Sequence, residues 1–237
     1  GRHAPDIVAT VTSTQPAPIV DLLATLDLEE LGSAVMSVQP LSTAGAADGS
    51  LPVPLPETFA EDITLFRGQC QKQPHGRVFG GQVLAQGVIA CGRTVRTIDG
   101  GQDRRLHSLH AYFMRPGDDT QPITFSVERM RDGRSFSTRR VHAIQHGKPI
   151  LSMSASFQDP DGGLDHQDPF PETPDPASVP SLSELFAGVD HPSARHLAEG
   201  RAIEQRHVEG NLFVTPATEH VADQRVWMRA NGTLPDD

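Results

Sequence analysis

Two adjacent glycines ahead of an apolar segment are the first candidates for ligand chemistry in this sequence. Gly80 and Gly81 precede a stretch that runs to Val95 with the composition of a buried helix. The first backbone N–H groups of a helix lack intrahelical partners and carry partial positive charge, so they bind carbonyl oxygens or phosphates. Gly80, Gly81 and Gln82 are therefore candidate ligand-binding residues. The alternative is that the two glycines only let the helix enter a sheet.

Arginines flank a second candidate region, the turn at Asp132–Gly133. The four are Arg131, Arg134, Arg139 and Arg140. Because a guanidinium donates two parallel hydrogen bonds to a phosphate, we select Arg134 and Arg139 as candidate contacts to a phosphorylated ligand. Successive strand residues point to opposite faces, so at most one of Arg139 and Arg140 serves a given surface.

The basic residues are concentrated in the middle of an acidic chain. The formal net charge is −10, yet the segment from Arg67 to Lys148 has fourteen Lys and Arg residues against six Asp and Glu residues. The negative total argues against a general nucleic-acid binder. The basic segment favours an anionic ligand, and the alternative is that its arginines solvate one face of a sheet.

Two histidines, His107 and His110, lie in a segment with strand composition. Strand alternation predicts that they point to opposite faces and form no common metal site. His107 is a candidate polar group near a ligand pocket, or else a hydrogen-bonded sheet histidine. The two cysteines, Cys70 and Cys91, do not form a Cys-x-x-Cys pair, so we expect no metal.

Two helices are predicted from the apolar spacing. Pro18–Gly32 has the pattern of an amphipathic helix closed by Gly32, and Arg77–Val95 is apolar around most of its circumference, as in a buried helix. Gly87 and Gly92 lie inside the second helix, where each costs about 1 kcal/mol relative to alanine. They predict close packing by another backbone at that helix.

Alternating segments predict an antiparallel sheet curled around the buried helix. These segments are Ile63–Cys70, Leu106–Arg115, Ile123–Arg131, Ser135–Gln145 and Pro149–Phe157. Asp132–Gly133 is a strong hairpin signal and His146–Gly147 a weaker one. One helix followed by a long antiparallel meander indicates an α+β protein rather than a doubly wound sheet.

The remainder of the chain predicts a linker and a pair of strands. Asp159 to Asp190 holds eight acidic residues and no basic one, which is typical of an extended linker, with a short helix near Leu182–Phe186. Ala202–Val208 and Gln224–Ala230 have strand composition. A strand pair without a helix cannot bury a core alone, so we expect the opening of a further domain.

Several blocks of sequence, taken in order, carry a resemblance to a known family. The blocks are VFGGQVLAQ (Val78–Gln86), LHSLHAYFMRPGD (Leu106–Asp118), RDGRSFSTRRVHAIQHGKPI (Arg131–Ile150), MSASFQ (Met153–Gln158), HQDPFP (His166–Pro171) and QRVWMRANGTLPDD (Gln224–Asp237). As a set they resemble the bacterial type II acyl-CoA thioesterases, a double hot-dog family that also includes peroxisomal enzymes. The resemblance implies two fused hot-dog domains, each a helix wrapped by an antiparallel sheet. It further implies hydrolysis of fatty acyl-CoA to a free fatty acid and CoA, without a cofactor.

The resemblance also places the family's catalytic residues, an Asp, a Ser or Thr, and a Gln, in the second hot-dog domain after Asp237. We therefore assign no catalytic residue in this sequence and expect the second domain to be incomplete. The predicted organisation is an N-terminal extension (1–17), a leading helix (18–34), a Pro/Ala/Ser-rich insertion (35–62), the first hot-dog domain (63–158), an acidic Pro-rich linker (159–200) and the first strands of a truncated second hot-dog domain (201–237).

Two alternatives to a hydrolase remain open. The absence of the catalytic trio favours a non-catalytic acyl-CoA-binding or assembly module, and a hot-dog dehydratase or hydratase ranks last because Arg77–Val95 contains neither Asp nor His. A cytoplasmic location is expected, because the sequence has neither an apolar run long enough to span a membrane nor a secretory signal. A homo-oligomer is expected, because a half-built sheet exposes an unpaired edge.

Overall fold

The computed structural model describes residues 17–38, 59–99, 101, 103–198, 201–210 and 222–235. They belong to two compact units, which are described separately: Thr25–Asp168 is one, and the described parts of Gly1–Ala24 and Pro169–Asp237 form the other. Nearly all of the predicted extension at 1–17 and the centre of the predicted insertion at 35–62 lie outside the described residues.

The Thr25–Asp168 unit contains a long helix and a six-stranded antiparallel sheet. Helix α1 (Ala17–Leu26) leads into this unit, and α2 spans Gly80–Arg96. The strands lie in the order β1-β2-β4-β5-β6-β3. Their bounds are β1 (Glu29–Val38), β2 (Phe59–Gly68), β3 (Arg105–Phe113), β4 (Ile123–Asp132), β5 (Phe136–Gln145) and β6 (Lys148–Gln158).

The sheet covers α2 because one face of each central strand is apolar. Along β6, Met153, Ala155 and Phe157 are buried whereas the intervening Ser154 is exposed. The same two-residue period runs through β4 and β5, and α2 lies against this apolar face. Each large side chain that is fully buried there stabilises the fold by about 1.5–3 kcal/mol. A helix packed within an antiparallel sheet is the α+β hot-dog fold, as expected.

The glycines inside α2 bring the helix close to the sheet. A Cβ atom at Gly87 would lie 3.1 Å from Cε of Met153 and 3.6 Å from Cγ1 of Val141. At Gly92 the nearest atom is Cε1 of Phe157, at 3.8 Å. The prediction that another backbone packs closely at these glycines is wrong, because the neighbours are side chains of β5 and β6, and at Gly92 the distance is that of an ordinary van der Waals contact.

Strand β3 departs from the predicted meander. Strands β4, β5 and β6 pair in sequence order, and the turns at Asp132–Gly133 and His146–Gly147 join them as predicted. Strand β3 instead pairs with β6 and forms an edge of the sheet, where almost all of its residues are exposed. Alternation along β3 indicates a strand but carries no information about which neighbour it selects.

The start of the unit also differs from the sequence-based expectation. The predicted helix Pro18–Gly32 ends at Leu26, and the prediction is wrong for its last six residues. Glu29–Val38 forms β1, paired with β2, so the predicted insertion begins and ends within strands. Gly32 adopts a φ of +125°, and the pairing register shifts beside it. That irregularity conceals the two-residue period of β1.

Arg139 is fully buried in β5 and fastens the sheet to the end of α2. Its Nε donates to Oγ1 of Thr94 at 2.8 Å, and its Nη2 donates to the carbonyl oxygen of Thr94 at 3.3 Å. An ion pair with Asp132 joins Nη2 to Oδ1 at 2.8 Å. Burial lowers the pKa of the Arg139 guanidinium, and the hydrogen bond to Asp132 acts in the opposite direction.

A second buried arginine, Arg104, holds the β4–β5 hairpin in place. Its Nη2 donates to the carbonyl oxygens of Gly133 and Arg134, each at 2.8 Å. Its Nε donates to Oδ1 of Asp159 at 3.0 Å. One guanidinium thus joins the residue before β3, the tip of the hairpin and the residue after β6.

The second unit contains short helices and a two-stranded sheet. Helices α3 (Leu182–Phe186) and α4 (Pro192–Ala198) pack through a small apolar core, and β7 (Ile203–His207) pairs with β8 (Val226–Ala230). The short helix and both strands are confirmed, whereas α4 was not predicted. Ser181 accepts a hydrogen bond from the Glu184 N–H and Glu184 accepts one from the Ser181 N–H, a capping box that starts α3. Among the helices in the described ranges, none combines the length and apolarity needed to cross a bilayer.

Replacing Arg139 with methionine should lower the free energy of unfolding by about 3 kcal/mol, because it leaves Asp132 and the Thr94 carbonyl without a buried cationic partner. Urea denaturation at a single protein concentration measures this difference. Arg134→Met is the matched control, since Arg134 is exposed on the same hairpin and its loss should change stability by no more than about 0.5 kcal/mol. Equal effects of the two substitutions would contradict a structural role for Arg139.

Candidate functional site

A mainly apolar pocket of about 390 Å³ lies at the start of α2. Its walls come from the first turn of α2, the end of β3 with the loop that follows it, and the beginning of β6. The lining residues are Val78, Gly80, Val83, Phe113, Met114, Arg115, Pro116, Gly117, Ile150 and Leu151. Phe113 and Met114 are about half exposed, so the pocket opens onto an apolar patch of surface. Such concave apolar sites are the usual places where small ligands bind.

Backbone hydrogen bonds fix the rim of this pocket. The N–H of Met114 donates to the carbonyl oxygen of Ile150 at 2.8 Å, and the N–H of Val78 donates to that of Gly117 at 3.0 Å. The guanidinium of Arg115 donates to the carbonyl oxygen of Pro149 at 2.7 Å. The segment after β3 is therefore tied both to β6 and to the residues that precede α2.

Two buried glutamines on α2 hold the loop that follows β2. Gln82 accepts a hydrogen bond from the N–H of Gln71 at 3.1 Å and donates to the carbonyl oxygen of Gln69 at 3.1 Å. Gln86 donates to the carbonyl oxygen of Gln69 at 2.9 Å and to that of Thr25 at 2.8 Å. Buried backbone N–H and C=O groups require hydrogen-bond partners, and an irregular loop has no neighbouring strand or helix turn to supply them. The side-chain amides of Gln82 and Gln86 supply these partners instead.

A third buried glutamine, Gln145 at the end of β5, holds the next loop. Its amide nitrogen donates to the carbonyl oxygens of Asp118 and Gln121, each at 2.9 Å, while its oxygen accepts from the N–H of Asp118 at 2.8 Å. Asp119 is also buried and accepts a hydrogen bond from the N–H of Gln73 at 2.7 Å. The two loops beside the start of α2 are thus joined to each other as well as to the core.

The structure separates the three residues predicted at the start of α2. The N–H of Gln82 donates to the carbonyl oxygen of Phe79 at 3.0 Å and the Gln82 side chain is buried, so the prediction that its N–H is available to a ligand is wrong. This hydrogen bond tightens the first turn of α2 and occupies the N–H of Gln82 within the helix. Gly80 and Gly81 retain N–H groups without intrahelical partners. Of the two, Gly80 lines the pocket.

Two aromatic rings cover the helix start where Gly80 and Gly81 have no side chains. A Cβ atom at Gly80 would lie 3.0 Å from the ring of Phe113, and one at Gly81 would overlap the ring of Phe79. Both phenylalanines are more than half exposed. The glycines therefore make room for rings that border the pocket, as well as letting the helix enter the sheet.

His107 lies away from the pocket, on the sheet face opposite α2. Its Nε2 is 2.8 Å from Oγ of Ser156, and its ring meets that of Phe136 edge to face. His110 lies on the same face, against Tyr112. The prediction that the two histidines point to opposite faces is wrong, because a β-bulge between Leu106 and Ser108 inserts an extra residue and interrupts the alternation.

The two candidate arginines have different surroundings. The guanidinium of Arg139 is enclosed by protein, with its donors used by Thr94, Asp132 and carbonyl oxygens of the hairpin, so it does not face solvent. Arg134 is exposed at the hairpin tip. Neither residue lines the pocket at the start of α2, and contact between Arg134 and a ligand phosphate stays a prediction.

The residues that shape the site include several that the sequence analysis did not select. Gln86, Gln145 and Arg104 are buried polar side chains. Gln86 lies within the apolar helix α2 and Gln145 within strand β5, whereas Arg104 directly precedes β3. The positions of the two glutamines in the sequence could have indicated their role, because a long polar side chain in an apolar segment needs hydrogen-bond partners if it is buried. Their partners lie up to 75 residues away along the chain, which spacing does not reveal. Within the described ranges, no cluster of three or more His, Cys, Asp or Glu side chains is placed to hold a metal ion.

Comparisons with known proteins agree with this architecture. Residues 71–158, from the loop before α2 to the end of β6, match the family described as Acyl-CoA thioesterase N-terminal domain. The chain is 37% identical over 179 residues to Acyl-CoA thioesterase 2 of Haemophilus influenzae, which covers 74% of this chain and 61% of that protein. The chain belongs to the type II acyl-CoA thioesterase family. The resemblance stated from the sequence blocks is confirmed.

Other acyl-CoA thioesterases are also similar to this chain in sequence or structure. The human Acyl-coenzyme A thioesterase 8 is 44% identical over 126 residues, covering 53% of this chain and 38% of that protein. A solved acyl-CoA thioesterase II, TesB2 of Mycobacterium marinum, matches at a TM-score of 0.57 and 33% identity, over 91% of this chain and 62% of that one. The tesB protein of Mycobacterium avium subspecies paratuberculosis matches at a TM-score of 0.60 and 29% identity, over 92% and 64%. The chain spans less than two thirds of the length of these relatives.

The thiol beside the start of α2 should react slowly with alkylating agents. Cys70 is half-buried and donates to the carbonyl oxygen of Gln121 at 3.2 Å. Burial raises the pKa of Cys70 above its ordinary 9.0, although a hydrogen bond with Gln82 lowers it. Because only the thiolate reacts, alkylation by iodoacetamide at pH 8 should be slower in the native chain than in urea, and should accelerate as the pH rises beyond 9.

The variants Cys91→Ser and Cys70→Ser assign the modified residue by mass spectrometry. Burial raises the pKa of Cys91 to about 12, so the Cys70→Ser chain should remain unmodified under the same native conditions. Native Cys70 reacting at pH 8 as fast as the unfolded chain would contradict the burial of its sulfur.

Proposed function

We propose that this chain is part of an acyl-CoA thioesterase that hydrolyses fatty acyl-CoA to a free fatty acid and CoA. The observation that carries the proposal is the coincidence of the family's N-terminal hot-dog domain with an apolar pocket at the start of α2. In the reaction a water oxygen bonds to the thioester carbonyl carbon, the carbon–sulfur bond breaks, and the sulfur leaves as the CoA thiol after accepting a proton.

The pocket supplies surfaces suited to part of such a substrate. Its apolar walls, including Val83, Phe113 and Leu151, suit the hydrocarbon of an acyl chain or the pantetheine arm. The N–H of Gly80 at the start of α2 suits the carbonyl oxygen, because a helix start stabilises developing negative charge. Arg115 provides a cation at the rim.

The groups that activate water are proposed to lie in a second hot-dog domain. The pocket lining at the start of α2 contains no Asp, Glu, His, Ser or Thr, whereas thioester hydrolysis needs a base for the attacking water. Strands β7 and β8 are proposed as the opening strands of that domain, and the family's Asp, Ser or Thr, and Gln are proposed to complete it. The exposed edge strand β3 offers a place for a neighbouring sheet to pair.

The same lack of an acid or base in the pocket favours one alternative, a non-catalytic acyl-CoA-binding module. Both functions require the ligand to bind, and only the hydrolase releases CoA thiol. The expected cytoplasmic location stays a prediction. CoA release from a panel of acyl-CoAs, compared with binding of the same compounds by calorimetry, distinguishes the two functions.

Filling the pocket should weaken acyl-CoA binding. Met114 lines the pocket and is 47% exposed, so Met114→Trp places an indole at the mouth without disturbing the core. We expect the dissociation constant for an acyl-CoA to rise about tenfold or more, since the ligand must forgo apolar burial worth at least about 1.4 kcal/mol.

Met130→Trp is the matched control, because Met130 is 46% exposed on β4 and does not line the pocket. Titration calorimetry with one saturated acyl-CoA compares the two variants with the parent chain. If both variants bind as tightly as the parent, acyl-CoA does not occupy this pocket.

A further inference from the structure

Among the described residues that line the pocket at the start of α2, Arg115 is the one with a charged side chain. Its Nη1 donates to the carbonyl oxygen of Pro149 at 2.7 Å, which holds the guanidinium at the rim. The residue is exposed, so its remaining N–H donors face solvent. Because a guanidinium stays protonated at any physiological pH, the mouth of the pocket carries a permanent positive charge.

The acidic residue nearest to Arg115 in the loop after β3 is Asp118, and other groups occupy its carboxylate. Its Oδ1 accepts hydrogen bonds from the N–H and the hydroxyl of Thr120, at 2.8 and 2.6 Å. Its Oδ2 lies 3.7 Å from Nε2 of His146. Within the part of the chain that the structure describes, Arg115 forms no ion pair with a carboxylate. Its charge is therefore available to an anion from outside the chain.

Two further cations lie beside residues of the pocket lining. Arg77 directly precedes Val78, and its backbone pairs with that of Asp118 in an isolated bridge. Lys148 begins β6, two residues before Ile150. Both cations are exposed, and together with the rim guanidinium they outnumber the Asp118 carboxylate. The mouth of this apolar pocket therefore has a positive potential in a chain whose formal net charge is −10.

We propose that this pocket holds the pantetheine arm of CoA and that Arg115 binds the diphosphate at the end of that arm. This assignment rests on the proposed function and names the part of the substrate that lies here. A fatty acyl chain is uncharged along its length, so a cation at the mouth does not stabilise it. The pantetheine arm is mainly apolar and ends in a diphosphate, whose oxygens match the planar fork of a guanidinium.

The direction of the substrate follows from this placement. With the diphosphate at Arg115, the arm runs inward and its sulfur lies toward the start of α2, where the N–H of Gly80 is proposed to meet the thioester carbonyl. The acyl chain then continues beyond the walls of this pocket. Arg115 is therefore a specificity-determining residue that selects CoA thioesters over thioesters without phosphate, and the pocket does not set the chain-length preference.

The test measures the binding of three thioether analogues to the full chain by titration calorimetry. The analogues are S-decyl-CoA, S-decyl-dephospho-CoA and S-decyl-pantetheine. All share one hydrocarbon and one arm; the second lacks the ribose phosphate, and the third ends before the diphosphate. A thioether has no carbonyl carbon for water to attack, so hydrolysis does not interfere with the titration.

The variant Arg115→Met should affect only the ligands that carry the diphosphate. We expect its dissociation constants for S-decyl-CoA and S-decyl-dephospho-CoA to rise about fivefold each, because charge-assisted hydrogen bonds to the diphosphate are lost. Its constant for S-decyl-pantetheine should equal that of the parent, which also shows that the pocket remains folded. Added salt should weaken S-decyl-CoA binding more in the parent than in the variant.

Arg105→Met is the matched control, because Arg105 is exposed at the other end of β3. That position is roughly 30 Å from Arg115 at about 3.3 Å per strand residue. The substitution removes the same charge from the chain, and all three dissociation constants should stay at the parent values. Arg115→Lys keeps the charge without the fork and should weaken the two diphosphate ligands by about twofold.

Free CoA separates the two possible occupants of the pocket. It carries the arm and the diphosphate but no acyl chain, so it should compete with S-decyl-CoA, and Arg115→Met should weaken it by the same factor. CoA that does not compete would assign the pocket to the acyl chain and overturn the proposal.

Other results also overturn the assignment of Arg115. These are equal weakening of all three analogues, a loss confined to S-decyl-CoA, which would place the ribose phosphate at Arg115, and an equal loss in Arg105→Met. If Arg115→Met fails to fold, unchanged constants in Arg115→Lys refute the contact. Binding of S-decyl-pantetheine with no effect of Arg115→Met on any ligand would refute this inference alone, whereas a parent chain that binds no analogue would refute the proposed function as well.

Discussion

The architecture depends on burying one long helix, α2, inside a sheet without leaving polar groups unpaired. An apolar helix gains from this burial, but its ends and the loops beside them carry backbone groups that water no longer reaches. Long polar side chains solve the problem. Gln82, Gln86 and Gln145 bond the loops at the start of α2, and Arg139 bonds the Thr94 carbonyl near its end. The apolar core and this set of buried polar groups therefore stabilise one another.

The position of the pocket is a result of the same constraint. Loops that would otherwise be irregular are held by amide side chains, so the start of α2, the segment after β3 and the beginning of β6 meet in a fixed arrangement. The start of α2, whose first N–H groups have no intrahelical partners, then faces the apolar pocket. The pocket lining contains no Asp, Glu, His, Ser or Thr side chain, so the arrangement supplies apolar surface and backbone donors rather than an acid or a base.

Much of the fold follows from the sequence pattern, and the exceptions have physical causes. The two-residue period of β4 to β6 and the turns at Asp132–Gly133 and His146–Gly147 are local features, so they were predictable. The partner of β3, the strand beginning at Glu29 and the bulge at His107 depend on pairing between distant segments. At the site, the glycines were visible as a motif. The structural roles of Gln86 and Arg139 could not be predicted, because burial and hydrogen-bond partners, rather than residue type, distinguish a structural side chain from a ligand-binding one.

The placement of β3 has a consequence for the order in which the chain is made. Leu109 in β3 pairs with Ala155 in β6, 46 residues later in the chain, and all of β4 and β5 is translated between them. At a synthesis rate of about 5–20 residues per second, β3 waits roughly 2–9 seconds for its partner. During that interval the β4–β5 hairpin can form from local contacts, while the backbone N–H and C=O groups of β3 remain without their partners on β6. The edge of the finished sheet is therefore added only after its neighbours β4, β5 and β6 have been made.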